Sequence, residues 1–211
     1  MPFIKPILLI VFSTGAAFFL GHSFVPPAIE QPAAPAANEE RYRGNPSAPL
    51  TLVVYVDYEC PPCASYNPVL NEVLMHYGSK LRLEFRHFPM TTIHPNAVRA
   101  AIAVEAAGKQ GHYWEMHDLL LSSQKQWART DNPEEHFGKL ATSLGLDTRR
   151  FLEALDSPAL RERVTLDMTQ GREMKIQAVP TFFLNARRIE PASVTAAAFF
   201  AIIDEELQTR K

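Results

Sequence analysis

Two hydrophobic rhythms alternate along the chain. Leu50-Thr51-Leu52-Val53-Val54-Tyr55-Val56-Asp57-Tyr58 is rich in β-branched and aromatic residues and is bounded by Asn45-Pro46 and Pro61-Pro62, which predicts a buried strand. From Ala64 to Tyr77 the apolar positions Val69, Leu70, Val73, Leu74 and Tyr77 recur at helical spacing. Leu81 to Phe88 alternates apolar and polar and stops at Pro89, predicting a second, half-buried strand. The helix between the two would then be the crossover of a parallel pair.

A helical stretch follows. His94-Pro95-Asn96 opens an alanine-rich helix to Ala107, broken by Gly108-Lys109-Gln110-Gly111, and Tyr113 to Leu121 forms the next. Asn132-Pro133-Glu134-Glu135 combines a cap, a proline at the first helical position and a back-reaching glutamate, and its helix ends near Leu144-Gly145. Asp147 caps a short helix to Leu155, and Ser157-Pro158 starts one to about Met174. Strand character returns at Ala178-Val179-Pro180-Thr181-Phe182-Phe183-Leu184. It turns at Asn185-Ala186 into Arg187-Arg188-Ile189, and a final helix capped by Ser193 runs to about Leu207. Residues from about 91 to 175 are thus an all-helical insertion between a β-α-β half and a β-β-α half.

The N-terminal pattern differs. Ile7 to Leu20 is a predominantly apolar run with the length of a signal-peptide core; extended to Val25, interrupted by His22 and Ser23, it approaches the roughly 20 residues of a membrane span. Lys5 before it and Glu30, Glu39 and Glu40 after it orient the body outside the cytoplasm. Residues 1–25 are therefore expected to be a signal peptide or N-terminal membrane anchor, residues 26–42 a semi-extended Pro/Ala-rich linker, and residues 43–211 one domain. The expected location is periplasmic or otherwise extracytoplasmic, secreted or tethered. Composition agrees with one domain of ordinary core size: 211 residues, 46% hydrophobic, net charge -2. The 21 Lys and Arg lie scattered among 23 Asp and Glu with no basic block, which argues against a nucleic-acid partner.

The candidate chemistry is Cys60-Pro61-Pro62-Cys63, which holds both cysteines of the chain where a strand gives way to a helix. The first turn of a helix carries unpaired N–H groups and the positive end of the dipole, so the Cys60 thiol should sit below its free value of about 8.5. Cys63, one turn inside, should be the more buried, resolving thiol. The prolines suit a helix start but remove two donors from the neighbourhood of the sulfur, and Glu59 adds a charge that opposes the thiolate. Two cysteines at this spacing also fit half of a zinc or copper site, or a structural disulfide closing a very short loop. The histidines His76, His112, His117 and His136 lie on predicted helices as surface or partly buried side chains; His87 and His94 flank a loop able to approach the strand–helix junction. Trp114 and Trp127 read as packing residues.

Taken together, Cys60-Pro61-Pro62-Cys63 after a strand, the helical insertion and Val179-Pro180-Thr181-Phe182-Phe183 before a hairpin and closing helix resemble the DsbA-like thiol-disulfide oxidoreductases of the thioredoxin-like superfamily. Asp57-Tyr58-Glu59-Cys60, Phe85-Arg86-His87-Phe88-Pro89 and Trp114-Glu115-Met116-His117-Asp118 strengthen the likeness, which covers about Arg41 to Thr209. The resemblance implies an α/β, thioredoxin-like fold with a mixed central sheet flanked by helices. It also implies a cis peptide between Val179 and Pro180 beside the cysteines, and catalysis by Cys60, Cys63 and Pro180. Val179, with Pro61 and Pro62, is implied to contact the substrate peptide. The implied activity is that of an exported dithiol oxidase acting on protein thiols or disulfides, served by a redox partner at the membrane and needing no metal or organic cofactor. A reductase or isomerase of the same fold, a thiolate metal-binding module and a domain that holds unfolded chains remain as alternatives. One departure stands out. Relatives often carry a buried acid six residues before the first cysteine, where this chain has Val54, leaving Glu84 as a candidate substitute in deprotonating Cys63.

Overall fold

The structure is a computed structural model that describes residues 41–209. The expected signal or anchor, and the linker up to residue 40, lie outside the described residues. Five strands form one mixed sheet. β1 (Tyr42–Gly44), β2 (Leu50–Val56), β3 (Leu81–His87), β4 (Thr181–Leu184) and β5 (Arg187–Ile189) stand in the order β1-β3-β2-β4-β5. β2 and β3 are parallel, with Leu50 opposite Leu81 and Val56 opposite His87, and α1 (Pro61–Tyr77) crosses between them as the hydrophobic rhythm predicts. The β1–β3, β2–β4 and β4–β5 pairs are antiparallel.

The pleat sends β2 to two cores. Leu50, Leu52, Val54 and Val56 join Leu81, Leu83 and Phe85 in the larger core, closed by α1 and by α8 (Ala196–Thr209). Val53 and Tyr55 face the other way, packing with Phe88, Ile176 and Phe183. The insertion supplies α2 (Ala97–Gly108), α3 (Tyr113–Ser122), α4 (Gln124–Trp127), α5 (Pro133–Ser143), α6 (Thr148–Ala154) and α7 (Pro158–Glu173). The Asp147 carboxylate and Ser157 hydroxyl accept from Arg150 N and Leu160 N, so the two caps read from the sequence hold. Asn132 makes no side-chain cap, and Glu135, three positions on, pairs with Lys139 instead of reaching back. The last helix begins at Ala196, and the Ser193 hydroxyl bonds that of Thr195. The β4–β5 turn forms despite Ala186 because Asn185 takes the left-handed conformation (φ 55°) that such a turn requires.

Three features depart from the sequence reading. The linker was expected to run through residue 42, yet Tyr42 opens β1 and the Arg41 side chain is buried between Glu105 of α2 and Asp167 of α7. β3 is almost wholly buried rather than half buried. Its polar residues Glu84 and Arg86 pair with each other, and Arg86 also reaches Asp167, so charge is neutralised where it is desolvated. His117 is fully buried: its Nδ1 meets the Tyr58 hydroxyl at 2.8 Å and its Nε2 meets Asn67 Oδ1 at 3.1 Å. Burial pushes this imidazole down to about 3, so it stays neutral and can accept from Tyr58 while donating to Asn67. Trp127 is fully buried, with its indole N–H on Leu120 O, as a packing residue should be. Among the described residues no helix is long and apolar enough to cross a membrane.

Candidate active site at the start of the first helix

The site is built by the turn that joins β2 to α1. Cys60 is the N-cap of α1, Pro61 and Pro62 occupy its first helical positions with their rings exposed, and Cys63 lies inside the first turn. The turn closes with Cys60 N donating to Asp57 O at 3.1 Å, and the helix starts with Ala64 N on Cys60 O. Both cysteines are free thiols and both are buried, Cys60 with 8% of its surface exposed and Cys63 with 4%. Cys60 is thus the slightly more accessible of the two sulfurs.

The thiols differ sharply in acidity. The Cys63 thiol hydrogen-bonds the Cys60 sulfur and, against the opposing effect of burial, brings Cys60 down to about 7, with help from the Cys63 N–H. Burial, together with that same shared bond, pushes Cys63 well up. This is the asymmetry disulfide exchange needs: an attackable sulfur that leaves easily and a partner that keeps its proton until called on. The charges that bear on Cys60 were only partly anticipated. The opposing carboxylate is Asp57, not Glu59, and His94 acts against it. The Glu59 carboxylate is taken up by Asn96 N at 2.7 Å.

From the far side of the sequence, Val179 and Pro180 come up against the pair. Their peptide bond is cis, and Cys60 Sγ lies 3.6 Å from Val179 O. A shallow groove of about 270 Å³ runs away from Pro180, lined by Tyr66, Phe182, Arg188, Glu190 and Pro191 among others. Glu84 is not at the site. It stands beside Val53 on the sheet face turned away from the cysteines, paired with Arg86, so it does not substitute for the acid absent at Val54. Among the described residues no group of three or more His, Cys, Asp and Glu side chains could hold a metal ion.

The helical insertion grips the turn from outside. Gln124 Nε2 donates to both Tyr58 O and Cys60 O, at 2.8 and 2.9 Å. Asp57 Oδ2 accepts from Met90 N at 2.8 Å and pairs with His94 Nδ1 at 2.7 Å, while Oδ1 accepts from Glu59 N. Gln124 escaped the sequence reading, and Asp57 entered it only as part of the run ahead of Cys60, with no role of its own. Gln124 sits on a four-residue helix with no visible period, and nothing local distinguishes Asp57 from an ordinary turn aspartate.

A five-stranded mixed sheet with a dithiol at the start of the first helix, a cis-proline beside it and a helical insertion between its two halves defines a thioredoxin-like fold. The thioredoxin family profile matches residues 36–205, and the chain belongs to that family. Its fold is similar to that of oxidised BdbD from Bacillus subtilis, at 22% identity, a TM-score of 0.71, and coverage of 82% of this chain and 95% of that one. It is also similar to Wolbachia pipientis alpha-DsbA1, at 19% identity, a TM-score of 0.69, and coverage of 78% and 89%. In sequence it is 38% identical over 170 residues to the Na(+)/H(+) antiporter NhaA 3 of Salinispora tropica, covering 78% of this chain. The matched segment spans only 25% of that antiporter's length.

Proposed function

We propose that this protein is an extracytoplasmic dithiol oxidase that inserts disulfides into protein substrates through Cys60 and Cys63. In the oxidised state a substrate thiolate attacks Cys60 Sγ, the Cys60–Cys63 bond breaks, and Cys63 leaves with the electron pair and takes up a proton. A second substrate thiolate then attacks the substrate sulfur of the mixed disulfide and expels Cys60 as a thiolate. The substrate has lost two electrons and the pair has gained them, so a disulfide- or quinone-linked partner must remove them again. In this reading Val179 O and the groove past Pro180 receive the substrate as an added strand, and Pro61 and Pro62 flank it.

The observation that carries the reading is the unequal pair: a depressed Cys60 thiol at the helix cap, 3.6 Å from the carbonyl of a cis Val179–Pro180 bond, backed by a buried, raised Cys63. A thiolate stabilised in the reduced state favours giving the disulfide away, which supports the oxidase direction. The apolar run before the domain supports export. Similarity to part of an antiporter, a class that works across membranes, supports a station near one. The test is the reduction potential of Cys60/Cys63 in a glutathione series, with transfer of the disulfide to a reduced, unfolded substrate protein. A value near about -120 mV with rapid transfer is expected; a value near about -270 mV would make the protein a reductant. Loss of transfer in Cys60→Ser is required, and unchanged activity without the cysteines would overturn the reading.

A further inference from the structure

Asp57 is more heavily engaged than a turn residue needs to be. Its side chain is fully buried, and the backbone N–H groups of Glu59 and Met90 already give each carboxylate oxygen a donor. A third partner, His94, is nonetheless brought in from the loop after β3 and held by its Nδ1 at 2.7 Å, with 16% of its side chain exposed. The loop is pinned for this purpose at both ends, by Met90 N on Asp57 and by Asn96 N on Glu59. Asn96 is fixed in turn by the carbonyls of Trp127, Ala128 and Thr130.

The arrangement supplies what the motif lacks. Two prolines separate the cysteines, so no side chain between them can donate to, or carry positive charge near, the Cys60 sulfur. Asp57 lies one turn closure away, its carbonyl bonded to Cys60 N, and its carboxylate disfavours a thiolate on either cysteine. Among the described groups that act most strongly on Cys60, His94 is the cationic one. The other charged groups on this side are Glu59, held by Asn96, and Arg129 and Asp131, which line the shallow pocket beside it.

We propose that His94, seated on Asp57, is a positioning residue that sets the charge facing Cys60 and thereby how strongly the dithiol oxidises other thiols. It deepens the disulfide-exchange reading above and rests on it. The pair acts as two opposed controls: the carboxylate pushes the sulfur toward the thiol, and His94 pulls it toward the thiolate.

Opposed controls make an opposed prediction. In the domain beginning near Glu39, the Cys60 thiolate is titrated by its ultraviolet absorbance, and the equilibrium with glutathione is measured for wild type, His94→Gln, His94→Lys and Asp57→Asn. His94→Gln keeps a donor for Asp57 but no charge. It should raise the Cys60 midpoint from about 7 by about half to one pH unit. The same change should make the disulfide about three- to tenfold harder to give to glutathione. His94→Lys restores the cation and should return both readings to wild type or beyond. Asp57→Asn should move both the other way. Unshifted readings in His94→Gln, or shifts of the same sign in His94→Gln and Asp57→Asn, overturn the proposal; if Asp57→Asn does not fold, the two His94 variants decide. A wild-type protein that forms no reversible disulfide with glutathione would instead refute the exchange reading itself.

Discussion

Removing Arg41 should destabilise the domain out of proportion to its position at the edge of the fold. The residue is only 7% exposed. Nε meets Glu105 Oε1 at 3.0 Å, NH2 meets the same oxygen, and NH1 spans Asp167 Oδ1 and Oδ2 at 3.0 and 2.7 Å. Breaking a buried pair by deleting one partner costs about 3–5 kcal/mol, because the other charge is left desolvated and unpaired. Here the orphans keep some company. Glu105 retains His87 and Arg163, and Asp167 retains Arg86 and His87 N. Arg41→Ala should therefore fall at the lower end, about 3 kcal/mol, or about 6–12 °C in melting temperature at this size. Since the loss comes from stranded charge, adding Asp167→Asn to Arg41→Ala should cost less than the two single changes summed.

The same network sets the acid limit. Burial pushes the Glu105 carboxyl up, but the hydrogen bond and charge of His87, with the charges of Arg41 and Arg163, hold it well below the usual carboxylate range. A carboxylate depressed in the folded state contributes fully above its unfolded value of about 4.3 and loses that contribution as the pH falls toward its folded value. Wild-type stability should decline below about pH 4.3, and that of Arg41→Ala less steeply, because the depression is smaller. Urea unfolding of wild type, both single variants and the double variant from pH 7 to pH 3, with thermal melts at pH 7, measures all of this. A variant within about 2 °C of wild type at pH 7, or an additive double mutant, would refute the reasoning.

Three further outcomes are expected. Cys63→Ser exchanges the thiol donor beside Cys60 for a hydroxyl and Cys63→Ala deletes it, so the alanine variant should raise the alkylation midpoint of Cys60 from about 7 toward the free-thiol value, and the serine variant less. Gln124→Ala leaves Tyr58 O and Cys60 O without their shared donor. A loss of about 1–3 kcal/mol in unfolding experiments is expected, with faster amide exchange confined to the 57–60 turn. Gly171→Ala would drive a methyl to within 2.5 Å of the Phe88 ring inside α7. Overpacking of about 1–3 kcal/mol should appear as a lowered melting temperature, and unchanged melting would mean that Phe88 swings aside.

What the sequence determined by itself was everything carried by near neighbours. The run from Leu50, the period of α1 and the proline-started turn place Cys60 and Cys63 at a helix cap without help from the rest of the chain. The Asp147 and Ser157 caps likewise need only the residues three positions on. The order of strands and helices after β1 followed from these rhythms, and the thioredoxin-like class from the resemblance that the motifs carry. Tertiary structure decided what lies across the sequence. The three residues of β1 are too few to show a period, and Arg41 reads as linker until Glu105 and Asp167, 64 and 126 positions away, close around it. Glu84 and Arg86 alternate like an exposed strand face, yet mutual pairing lets them be buried. Val179 meets Cys60 over 119 positions, Asp57 meets His94 over 37, and Gln124 meets Cys60 over 64. Periodicity and capping are short-range physics and leave a mark on the local sequence. The pairing of buried charges and the seating of donors on a distant turn depend on which surfaces meet, and that is known only once the chain has folded.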